Sequence, residues 1–116
     1  MEEKNELLDK ALELKCKQLL CKLWLAAFAK PGYVGVEEMG LLTKHMQVQS
    51  KLEDVEKELY DLWDANQKEF EKYDEATIAS YCKQHKTTLE KQKELAKEVL
   101  GKEWTIEELA DKVEHR

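Results

Sequence analysis

Between Leu41 and Leu100 the chain runs sixty residues without a glycine or a proline. These two residue types break or end helices, so a long stretch without either commits the chain to long helical segments. Within it Leu41, His45, Val48, Leu52, Val55, Leu59, Leu62 and Asn66 recur at alternating spacings of four and three. That is the seam of a helix packed lengthwise on other helices. The pattern predicts an all-α fold: an up-down helical bundle of three long helices plus a short C-terminal helix. The alternative arrangement is a long dimeric coiled coil.

The 116 residues suit one domain, 1–116. A hydrophobic content of 42% argues against disorder, and 38% charged residues fit long helices with solvated faces. A core of this size is thin, and self-association would bury more surface.

The first helix is predicted from about Glu3 to Ala29, with Leu8, Leu12, Cys16, Leu19, Leu23 and Ala26 as one stripe. From Leu19 onward Leu20, Cys21, Trp24, Leu25 and Phe28 make it apolar almost all round. Such a helix is covered on several sides, by the rest of the chain or by a second copy. Leu20, Trp24, Leu25 and Phe28 are therefore the candidate partner-binding or dimer interface. Lys30–Gly35, with Pro31 and Gly32, reads as a loop. A second helix is predicted to start near Val36, with Glu37 and Glu38 at the positive end of its dipole.

Where that helix ends is set by weaker signals. Asn66 with Glu69 fits a capping box, and Asp74 can cap the helix after it. Residues 51–76 carry ten acids against four lysines, whereas residues 77–102 carry six lysines against three glutamates. An acidic segment succeeded by a basic one favours a fold-back near Tyr73–Thr77. The competing form is one helix of about 65 residues, roughly 95 Å long at 1.5 Å per residue. The third helix is marked by Ile78, Tyr81, Cys82, His85, Leu89, Ala96 and Val99, and Gly101 stops it. Thr105 and Glu108 then form a capping box, Trp104 staples onto Leu109, and Ile106, Leu109, Ala110 and Val113 define a short last helix at 106–114.

Chemistry-bearing patterns are sparse. Cys16, Cys21 and Cys82 are an odd number behind a charged N-terminus, which reads as reduced thiols in a cytoplasm. Cys82 and His85 lie one helical turn apart and His45 could approach them, but Cys16 and Cys21 point to different sides of their helix. No metal, cofactor or catalytic set is expected from these spacings. The apolar run Leu19–Ala29 is far shorter than the ~20 residues that span a bilayer. Seam positions His45 and Asn66 read as polar residues that fix register. The aromatic residues Trp63, Phe70, Tyr73 and Tyr81 sit among acids, which disfavours nucleic-acid stacking and favours core packing. The only arginine is Arg116, so sequence-specific nucleic-acid reading is not expected.

Glu37-Glu38, together with Glu58-Leu-Tyr-Asp61, resembles the paired acidic motifs of the all-α nucleotide pyrophosphohydrolases. The resemblance covers about a quarter of the chain and implies helix-borne carboxylates holding Mg²⁺ against a triphosphate. The family carries a further Glu three residues after its Glu pair, and here that position is Leu41.

The residues themselves favour a non-catalytic macromolecule-binding protein: an adaptor, an assembly chaperone or an inhibitor. Its surfaces would be the apolar face of the first helix and an acidic face made of Glu53, Asp54, Glu56, Glu58, Asp61 and Asp64. The expected partner is a protein of unknown identity, and the bundle itself is expected to be a homodimer. The Mg²⁺-dependent hydrolase is the first alternative, and a self-associating structural coiled coil the second.

Overall fold

A computed structural model describes residues 6–28, 39–84 and 87–115. The expected loop at 30–35, the start of the second helix with Glu37 and Glu38, the Cys82 side chain and His85 lie outside the described residues. Six helices make up the described chain, with no strand among those residues: α1 (Glu6–Ala27), α2 (Met39–Ala65), α3 (Gln67–Glu71), α4 (Glu75–Gln84), α5 (Leu89–Leu100) and α6 (Ile106–Glu114). The protein is all-α.

The third long helix is instead two helices, α4 and α5. The break lies before Leu89, where Thr88 takes an extended backbone and its hydroxyl accepts from the Lys91 N–H at 3.1 Å. A hydroxyl at that position satisfies one of the donors a helix start leaves orphaned. The continuous 65-residue helix is also ruled out, since the molecule measures 53 × 26 × 21 Å and α2 ends at Ala65.

Asn66 stops α2, but not as an N-cap. Its side-chain amide donates back to the Leu62 carbonyl at 2.9 Å, and it makes no capping bond to α3. The turn expected near Tyr73–Thr77 falls at Lys72–Asp74, where the Asp74 carboxylate accepts from the Thr77 N–H at 2.7 Å and starts α4. Hydrogen bonds from the Thr77 hydroxyl and from its backbone N–H lower the pKa of Asp74.

The central element is α1, on which α2, α5 and α6 all pack. Leu14, Cys16, Leu20, Cys21 and Trp24 meet Val48 and Val55 of α2, Leu95, Ala96, Val99 and Leu100 of α5, Trp104, and Leu109 of α6. This buried arc is turned roughly a third of a turn from the predicted stripe, given 3.6 residues per turn. Leu19, a stripe member, is 41% exposed, whereas Leu20 and Cys21 are fully buried. The seam of α2 matches its prediction, with Val48 and Val55 buried and Leu41, Leu52, Leu59 and Leu62 packed against the core.

Three polar devices fix the C-terminal half. Gly101 closes α5 in a left-handed conformation (φ 76°), a backbone state that glycine adopts without penalty. Thr105 caps α6, its hydroxyl accepting from the Glu108 N–H at 3.2 Å and donating to the Glu108 carboxylate at 3.0 Å. Gln92, buried to 6% exposure, donates to the Thr87 carbonyl at 3.1 Å and accepts from the Ile106 N–H at 2.9 Å. It thereby ties the start of α5 to the start of α6. Lys17 of α1 adds an ion pair to Glu98 of α5 at 3.0 Å.

Candidate functional site: an apolar groove beside α1

The four residues expected to form a partner face do not form an open one. Leu20 and Trp24 are buried, and Leu25 and Phe28 are half-buried against the core. Phe28 lies 5.1 Å from Trp24 and 5.8 Å from Trp104, ring centre to ring centre, and the Lys112 ammonium of α6 sits 5.9 Å above it. The all-round apolar end of α1 is thus wrapped by the chain's own α2, α5 and α6.

His45 serves the same end. Its Nε2 lies 2.7 Å from the Phe28 carbonyl and its ring 5.5 Å from that of Trp24. A carbonyl only accepts, so Nε2 carries the hydrogen and satisfies one of the carbonyls that a helix C-terminus leaves open. The seam histidine thus has a partner at the end of α1 within its own chain.

The other end of α1 is covered less. There Leu8, Ala11, Leu12, Lys15 and Gln18 form one wall of a groove with a volume of about 510 Å³. Leu59, Tyr60, Leu62 and Trp63 of α2 form the facing wall, and Phe70 of α3 with Glu71, Ile78 and Tyr81 closes it. The groove exists because the breaks at Asn66 and Lys72–Asp74 shorten α3 and α4, so neither lies along α1 as a full-length third helix would. What holds α4 beside α1 includes the Tyr81 hydroxyl, which donates to the Asp9 carboxylate at 2.5 Å. The second oxygen of Asp9, Oδ2, is buried and has no partner among the described residues.

Tyr60 is 66% exposed and Trp63 49% exposed. The two rings lie one turn apart at the edge of the groove, where each buries a large apolar area when covered. Core packing, expected of the aromatic set, holds for Tyr81 and fails for Trp63. Tyr60 is not among the residues that the sequence patterns mark. Its signal there is a position three residues before Trp63 and off the Leu59–Leu62 seam.

The acids of α2 are all exposed, but they do not share one face. At 3.6 residues per turn Glu53, Glu56 and Asp64 fall on the side of Tyr60, and Asp54, Glu58 and Asp61 on the far side. Glu56 is held at the groove, accepting from the Gln18 side chain at 2.9 Å. Of the charged residues lining the groove, Glu71 is acidic and Lys15 basic.

Glu58 and Asp61 of the hydrolase resemblance are exposed, and its Glu37-Glu38 half lies outside the described residues. One metal-like grouping occurs among the described residues, Asp111, Glu114 and His115, wholly exposed at the end of α6, with His115 3.3 Å from Asp111. Burial raises the pKa of Cys16, partly offset by the Thr87 hydroxyl, and pushes Cys21 up to about 11. Both thiols are therefore protonated and poor nucleophiles at neutral pH. No helix among the described residues is long and apolar enough to cross a membrane. No protein-family model, curated protein or solved structure matches this chain.

Proposed function

We propose that this protein is a non-catalytic binding protein that holds a protein partner in the groove beside α1, as an adaptor, assembly chaperone or inhibitor. The observation that carries this reading is the groove itself: an apolar cleft within the size range of ligand sites, walled by two helices and edged by the open rings of Tyr60 and Trp63. Tyr and Trp are over-represented among residues that dominate protein interfaces, because they bury much area with little loss of side-chain freedom. The partner surface passes from the Leu20–Phe28 end of α1, which the chain covers itself, to the Leu8–Gln18 end.

The test is photo-crosslinking in cells. A benzophenone side chain at position 60 should give a discrete protein adduct, identified by mass spectrometry. The same group at exposed Glu107 of α6 should not. Leu12→Glu, which places a charge in the groove wall, should abolish the adduct while leaving helicity intact. Equal adducts at both positions, or none at position 60, would refute the reading.

A further inference from the structure

We propose that the occupant of the groove is a basic amphipathic helix of about three turns, contributed by the partner protein. The inference rests on the groove being the partner site, and it adds what kind of segment fits there.

Shape favours a helix. Peptides are commonly held by strand addition to a sheet edge, or by laying a helix into a groove. With no strand among the described residues, strand addition has no edge to use. Both long walls of the groove are themselves helices. On α1 the lining residues Leu8, Ala11, Leu12, Lys15 and Gln18 recur every three or four positions. Such rows present ridges and grooves that mesh with side chains of the same spacing on another helix. From Leu8 to Gln18 the wall is about 15 Å long at 1.5 Å per residue, which is close to three turns. An occupant of that length would place three or four apolar residues, at i, i+3, i+4 and i+7, into the cleft.

Charge favours a basic one. The lining itself is balanced, with Glu71 against Lys15. The surplus lies at the rim, where Glu56 accepts from the lining residue Gln18, and where Glu53, Glu56 and Asp64 on the Tyr60 side of α2 outnumber the one lysine there, Lys57. Lysines or arginines flanking the apolar stripe of the occupant would meet these carboxylates. Their aliphatic stems and cationic heads would also cover the exposed faces of Tyr60 and Trp63.

A second copy of the chain is a poorer occupant. Its lysine-bearing helix, α5, already uses its apolar side: Leu95, Ala96, Val99 and Leu100 are all buried in its own core. Offering that side to another molecule would require dismantling the core.

The experiment selects displayed random peptides of about 16 residues, enough for the three turns plus ends, on the full-length chain. The Leu12→Glu chain serves as counter-selection. Enriched sequences should carry a net positive charge and an apolar stripe of helical period. Synthetic versions should become helical on binding, shift the Trp63 emission, and lose at least about tenfold in affinity on Leu12→Glu. They should lose as much when their lysines become glutamates. Enrichment of acidic or aperiodic peptides that still depend on Leu12 would overturn the basic helix while leaving the groove as a binding site. Failure to enrich anything over Leu12→Glu overturns the inference as well. The position-60 crosslink then tells whether the groove reading falls with it: an adduct retains that reading, and its absence removes both.

Discussion

Replacing Gln92 with leucine removes the side chain that joins the starts of α5 and α6, and it does so with little change in volume or helix propensity. The glutamine is 6% exposed, and both ends of its amide are used, on the Thr87 carbonyl and the Ile106 N–H. The Ile106 N–H is among the donors a helix start cannot satisfy within the helix. In Gln92→Leu both backbone groups lose their partner. A buried group left unpaired costs about 1–3 kcal/mol, and the half-buried settings of Thr87 and Ile106 place both at the low end. The leucine returns some apolar burial, so the expected net loss is about 1–2 kcal/mol. For a chain of this length that lowers Tm by roughly 4–10 °C. Thermal and urea melts monitored by circular dichroism read the change. A double-mutant cycle with Thr105→Ala, which strips the other cap from the same helix start, should show coupling above about 0.5 kcal/mol. If Gln92→Leu melts within 2 °C or so of the parent, the amide bridges contribute nothing. Trp104 and Leu109 alone would then dock α6.

Leu109 is fully buried, so Leu109→Ala should cost about 3 kcal/mol, against ~1 kcal/mol for Thr105→Ala; equal losses in urea melts would mean that the α6 contact is not packed as described. Trp63→Ala should change stability by less than about 1 kcal/mol, because the ring is half exposed, yet it should abolish the position-60 adduct. A cooperative loss of fold in that variant would make Trp63 a core residue. Cys21 keeps its proton up to about pH 11 in the folded chain, against 9.0 for an ordinary thiol. The unfolded chain therefore releases that proton first, and this contribution to stability, present below pH 9, declines as pH rises through that window. Cys21→Ala should show a shallower decline over the same range, and identical slopes would refute the assignment.

Local signals in the sequence are reliable where one side chain acts on its own backbone neighbourhood. The Thr105 cap, the Gly101 stop and the Asp74 start all form as their spacing implies. So does the α2 seam, whose four-three repeat needs only a neighbour to pack on. Signals fail where the outcome depends on a distant choice. Asn66 has two uses, capping α3 or bonding back to Leu62, and sequence alone does not rank them. Gln92 reads as one more polar residue in a polar stretch because its second partner is fourteen positions away. The buried arc of α1 has no sequence marker, since an all-round apolar helix carries no preferred side until its neighbours are known. The groove is harder still. It is a place where elements fall short of each other, and it arises from two chain breaks rather than from any motif.

That α1 is the helix on which α2, α5 and α6 converge has a consequence for biosynthesis. Its partners on two sides lie some eighty residues downstream, as the Lys17–Glu98 pair marks. At about 5–20 residues per second, the ribosome delivers them roughly 4–16 s after α1 itself. For that interval α1 has only α2 to pack on, and the sides that α5 and α6 later cover stay open. Until α5 and α6 emerge, the apolar sides of α1 that they cover are unpaired surface in the nascent chain, the kind of surface that promotes aggregation.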